Sequence, residues 1–119
     1  MTPLLFVGAA LAGGAGAVLR YLLDVAVGSI AGRRFPWGIL VVNVTGSFAL
    51  GVVTTAVPDA AFLVGAGLLG GYTTFSTAML DAVALWRDRE RAASVFDALG
   101  MLVLGLAAAA AGLLLGAQL

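Results

Sequence analysis

Eight consecutive residues hold most of the chemistry open to this chain: Gly70-Gly71-Tyr72-Thr73-Thr74-Phe75-Ser76-Thr77. Adjacent glycines and two β-branched threonines are poor helix-interior residues. Yet they interrupt an apolar run, Ala60 to Leu80, that carries no charge. About 10 residues on either side, at 1.5 Å each, cover about 15 Å, which is half a hydrocarbon core. The motif therefore predicts a helix broken at the membrane midplane. A break frees carbonyls at the end of one half-helix and N–H groups at the start of the next, and lipid satisfies neither. Freed carbonyls suit a hard cation, whereas freed N–H groups and hydroxyls suit an anion. The bland alternative is a glycine kink whose threonine hydroxyls bond back to the preceding turn.

Three other polar features fall inside apolar stretches. Asn43 and Ser47 are four apart and share a helical face. An amide in hydrocarbon must be bonded, so Asn43 either joins two helices or offers its N–H₂ to a passing anion. Arg20 and Asp24 are also four apart. They read as an ion pair along one face, or Arg20 lends positive potential to an anion vestibule. Asp81 and Asp97 lie near helix ends, where a carboxylate snorkels or meets a loop arginine.

The elements that must position these residues are set by composition. Hydrophobic residues make up 62% of 119 and charged residues 10%, against about 25% charge in a soluble domain. Mean hydropathy is +1.13. Charges separate four stretches long enough to cross a bilayer, about 3–31, 36–57, 60–86 and 92–117, in one domain spanning 1–119. The connections are short, which makes neighbouring helices antiparallel. Trp37 and Trp86 fall at span ends, where indoles favour the headgroup level. Arg33 and Arg34 lie in the first loop and Arg87, Arg89 and Arg91 in the third, while the second has none. The positive-inside rule places loops one and three in the cytoplasm of a multi-pass inner (plasma) membrane protein, with both termini outside. Glycines at 8, 13, 14 and 16 and again at 46, 51, 65 and 67 predict close helix packing.

Composition also excludes. There is no histidine or cysteine, which removes disulfides, thiolate metal sites and the usual neutral-pH proton shuttle. No carboxylate pair occupies a credible pocket, so the sequence does not point to an enzyme. Zero net charge offers no nucleic-acid surface. The apolar run from Pro3 has no basic segment before it and is too long for a signal peptide.

Three motifs, in order and spacing, resemble the Fluc (CrcB) family of fluoride channels. Gly13-Gly14-Ala15-Gly16-Ala17-Val18-Leu19-Arg20-Tyr21 is similar to its glycine-rich first helix. Gly38-Ile39-Leu40-Val41-Val42-Asn43-Val44-Thr45-Gly46-Ser47-Phe48 is similar to its second helix, and Gly70 to Thr77 to its broken third. The resemblance implies an all-α integral membrane protein of four transmembrane helices that forms an antiparallel, dual-topology dimer. It implies passive fluoride efflux along pathways between the subunits, lowering cytoplasmic fluoride. It also implies a structural, untransported sodium ion held by backbone carbonyls, here those of Gly70 and Thr73. By motif position Asn43, Phe75, Ser76 and Thr77 line the pore and Arg20 lies in the vestibule. The chemistry is coherent: amide and hydroxyl donors replace fluoride's hydration, and a phenyl edge carries partial positive charge.

The chain departs from the family pattern in places. Ala78 stands where a second pore phenylalanine is expected. Asp97, Met101 and Gly105 stand where the fourth helix usually carries a tyrosine and two serines, and Ile39 replaces a frequent threonine. These losses and the one-sided arginines favour pairing with an oppositely biased homologue rather than with itself. Two alternatives stand beside this reading: a non-conducting structural membrane subunit, and a small multidrug-type proton-coupled exporter. The exporter needs an intramembrane carboxylate. No glutamate lies in any span, and Asp24 sits close to a helix end.

Overall fold

A computed structural model describes residues 2–119, and its regular elements are all helical. Four apolar spans run Pro3–Ala31, Trp37–Ala56, Pro58–Arg87 and Arg91–Ala117. The first begins at Thr2, whose hydroxyl accepts from the Leu5 N–H at 3.1 Å, with Pro3 in the first helical position. Both are standard N-terminal devices. It ends at Gly32, where φ is +84°. That left-handed conformation costs glycine nothing and lets its N–H close on the Gly28 carbonyl at 2.9 Å.

Glycines set the packing of the spans. A side chain on Gly16 or Gly71 would strike the backbone of residues 68 and 13 respectively. A side chain on Gly51 would strike the backbone of 109–113, and one on Gly112 the Phe48 carbonyl. Residue numbers rise together along both seams, 13 with 67 and 16 with 68–72, and 51 with 109 and 52 with 116. Spans one and three therefore run parallel, as do spans two and four. Alternation of direction through three short loops requires both. Backbone-to-backbone approach supplies the dispersion contacts that hydrophobicity cannot supply in lipid.

The buried interior is small. Val42 is fully enclosed, and Ile39, Leu40, Leu69, Ala78, Ala82 and Leu85 are also buried. Leu4, Phe6, Leu11, Ile30, Leu114 and many other large apolar side chains face outward. A patch this extensive is tolerable only against lipid or another membrane protein.

Loops one and three lie at the same end. Arg34 Nη2 is 3.5 Å from Glu90 Oε1, an exposed bridge between them. Phe35, Trp37 and Phe96 cluster there with ring centroids 4.6–6.4 Å apart. The Arg91 guanidinium stacks over Trp86 at 4.8 Å. The exposed ion pair adds little energy, and the aromatic cluster does more to fix this end.

Three details differ from the sequence-based expectation. The first half of span three, Ala61–Leu69, is a π-helix, a wider winding that nothing in its composition announces. Gly70 and Gly71 are helical, and the break itself is confined to Thr73 and Thr74. Gly71 is small because span one lies against it, not because the chain turns there. Asp97 neither snorkels nor meets an arginine. It is 1% exposed, and neither carboxylate oxygen has a hydrogen-bond partner among the described residues. It lies a turn and a half inside span four.

Candidate ion-binding site at the helix break

The third span stops being helical after Tyr72. Thr73 (φ −80°, ψ 157°) and Thr74 (φ −147°, ψ 122°) are extended, and the helix resumes at Phe75. Each threonine hydroxyl repairs one side of the gap. Thr73 Oγ1 donates to the Leu69 carbonyl at 3.0 Å, so the leading half ends with its last turn bonded back. Thr74 Oγ1 accepts from the Thr77 N–H at 3.2 Å and caps the trailing half. The break and the threonine back-bond, set against each other in the sequence reading, thus occur together.

Asn43 fastens the break to span two. Its Nδ2 donates to the Thr74 carbonyl at 2.8 Å, and its Oδ1 accepts from the Thr74 N–H at 2.8 Å. The pair of bonds fixes which amide atom points where, since the Thr74 N–H requires an oxygen opposite it. The interhelical bond is therefore the role seen directly. One N–H remains, and it points at Met101 Sδ, 3.3 Å away. Nearby, Tyr72 Oη and Thr45 Oγ1 are 2.9 Å apart.

Among the described residues, the Gly70, Gly71 and Tyr72 carbonyls have no backbone or side-chain donor beyond the helix end. Gly70 and Thr73 line a cavity of about 300 Å³ together with Asn43, Ser47 and Phe75. A second cavity, about 340 Å³, shares Asn43, Ser47 and Phe75 and is closed by Ala78, Met101 and Gly105. Phe75, 78% exposed, lines both.

The remaining predicted residues are more scattered. Thr77 lines a separate cavity of about 210 Å³ with Asp24, Arg33 and Asp81, towards the arginine-rich end. Ser76 is exposed in the first turn after the break and lines neither central cavity. Arg20 is half-buried and also away from both. Its expected ion pair does not form. Asp24 instead bridges to Arg33 at 3.8 Å, because Gly32 turns the first loop back over the helix end and brings the guanidinium against Gly28. Sequence reasoning missed Met101 as a contact of Asn43. The signal was present only as an apolar residue in a position expected to be polar.

No three acidic, histidine or cysteine side chains converge among the described residues. A cation at this site would rest on carbonyl oxygens, which is donor chemistry suited to a hard ion. An anion would rest on the amide N–H, on hydroxyls and on the Phe75 edge.

Comparison with known proteins places this geometry. The family model for CrcB-like protein, Camphor Resistance (CrcB), matches residues 7–113. The Fluoride-specific ion channel FluC 1 of Leifsonia xyli is 46% identical over 122 residues, covering 98% of this chain and 89% of that protein. FluC 2 of Mycobacterium tuberculosis is 45% identical over 114 residues, covering 94% and 90%. FluC 1 of Rubrobacter xylanophilus is 48% identical over 109 residues, covering 89% and 88%. With four apolar spans, a third span interrupted at two threonines, and these relatives along nearly its whole length, the chain belongs to the CrcB family.

Proposed function

We propose that this chain is a subunit of a fluoride-specific ion channel, carrying fluoride passively out of the cell past the break in the third span. It is not an enzyme, since its family is one of channels. The observation that carries the reading is the Asn43–Thr74 clamp. It holds an interrupted helix rigid inside the bundle and leaves an amide donor, an aromatic edge and Ser47 around one pair of cavities. Rigid donors in a dry site can substitute for the water around a small anion. Ser76 and Thr77 supply further hydroxyls in the first turn after the break, and Arg20 adds positive potential outside it.

A sodium ion would rest on backbone carbonyls at the same break. The carbonyls of Gly70 and Thr73 would hold it, with the same elements of a second subunit completing its shell. The ion would neutralise facing carbonyl dipoles and raise the local potential for an anion. Exchanging sodium for N-methyl-D-glucamine through purification then lowers thermal stability in detergent. Unchanged stability removes the assignment.

The assembly is an antiparallel pair in the inner membrane. The bridge from Arg34 to Glu90 supports loops one and three sharing a side, and their arginines favour the cytoplasm. Such a bias opposes insertion of one chain both ways, so the partner is an oppositely biased homologue. Fluoride efflux from liposomes, read with a fluoride electrode, tests these readings together. The co-expressed pair releases fluoride and retains chloride, whereas this chain alone releases little. Robust efflux from this chain alone contradicts the unequal pair and leaves a symmetric one. No fluoride release from either preparation contradicts the channel and favours a non-conducting structural subunit, the reading supported by Ala78, Met101 and Gly105 at the cavity wall.

A further inference from the structure

We propose that Met101 is a displaceable stopper on the ion pathway, holding the free donor of Asn43 until fluoride takes its place. The inference rests on the channel reading above and assigns to this chain a residue that limits conduction.

Three observations converge on it. Asn43 has two amide protons. One is committed to the Thr74 carbonyl at 2.8 Å, and the other points at Met101 Sδ at 3.3 Å. A thioether is a weak acceptor, so the second N–H is occupied but not satisfied. Any hard anion that reaches it is a better partner. Second, Met101 belongs to both central cavities, which also share Asn43, Ser47 and Phe75. Its side chain therefore stands at the point where the two spaces meet. Third, the stopper has room to move. Ala98 and Gly105, one turn before and one turn after it, line the same cavity. A methyl group built on Gly105 would meet only Ser47 Oγ, at 3.8 Å. Methionine has three rotatable side-chain bonds and an adaptable, polarisable tip, which suits it to swing aside and return.

The physical consequence is a constriction that is apolar when closed. An apolar collar excludes water and raises the barrier to a strongly hydrated ion. Displacement exposes the Asn43 N–H in the same movement, so the barrier falls where the ion is bound. Chloride is larger and more weakly basic. It competes poorly for the donor and leaves the thioether in place.

Two measurements test this. In purified protein carrying ¹³C-methyl methionine, the Met101 resonance is assigned by its loss in Met101→Leu. Sodium fluoride is then titrated against sodium chloride. The expected result is a saturable shift of the Met101 methyl with fluoride and none with chloride. In liposomes holding the co-expressed pair, Met101→Ser opens the collar and raises the fluoride efflux rate about tenfold, while Met101→Leu keeps it shut and lowers the rate. A Met101 methyl that ignores fluoride overturns the proposal, and the wild-type protein suffices to show it. So does a Met101→Ser rate within about twofold of a wild-type rate that itself exceeds that of empty liposomes. A fluoride-specific shift with no efflux from any variant keeps the stopper and removes the conduction reading.

Discussion

Asn43 carries the most consequence of any single side chain. It satisfies both backbone groups of Thr74, a residue with no helical partner of its own. Truncating it in Asn43→Ala leaves a donor and an acceptor unpaired inside the bundle, and each unsatisfied group costs about 1–3 kcal/mol. Denaturant titration of purified protein should show a loss of about 2–6 kcal/mol for the two groups together. A loss near zero would mean water reaches the break and replaces the amide. Thr74→Val should cost about 1 kcal/mol, the usual value of a helix N-cap, by the same measurement. The sequence showed that an amide lay inside an apolar span and therefore had to be bonded. It did not show to what, because the partner is 31 residues away and depends on where span two meets the break. Asp97 was harder still. Its position near a helix end suggested solvent or a loop arginine, but its side chain is enclosed within the bundle.

At the scale of elements, the four spans were visible in how charges interrupt apolar runs, and the broken third span in a motif of poor helix formers. The exact break was not visible. Gly70 and Gly71 have the weakest helical preference in the motif, yet both stay helical, and at Gly71 close packing against span one requires the small residue. Propensity locates a weak point, and packing decides which residues open. The π-winding of Ala61–Leu69 was also hidden, since alanine, leucine and glycine suit either winding. The glycine seams give a direct prediction. Gly112→Ala sets a methyl group against the Phe48 carbonyl and the Val52 amide, backbone atoms that cannot swing away. Overpacking of this kind costs about 1–3 kcal/mol and should separate spans two and four. Gly14→Ala, whose new methyl group meets nothing within 4 Å, should be neutral. Equal effects in both variants would show that the seam is not tight.

At the scale of the whole molecule, asymmetry of charge is the dominant feature. Loops one and three meet at one end and hold five of the six basic residues. The chain lacks cysteine, so single cysteines report side cleanly. Asp59→Cys in the second loop should react with an impermeant maleimide in intact cells, and Asp88→Cys in the third only after permeabilisation. Equal labelling of both positions would mean insertion in two orientations and would restore a symmetric pair. The outward apolar faces of spans one and four are consistent with lipid around the bundle, while Phe75 lines the central cavities. The account as a whole stands on fluoride passing Asn43 at the break. Its most direct test is fluoride efflux from liposomes containing the co-expressed pair, comparing wild type with Asn43→Asp in this chain. The substitution keeps an oxygen for the Thr74 N–H but replaces the donor with a negative charge. The prediction is rapid fluoride release from wild type and none above empty liposomes from the variant. Equal release from both would contradict it.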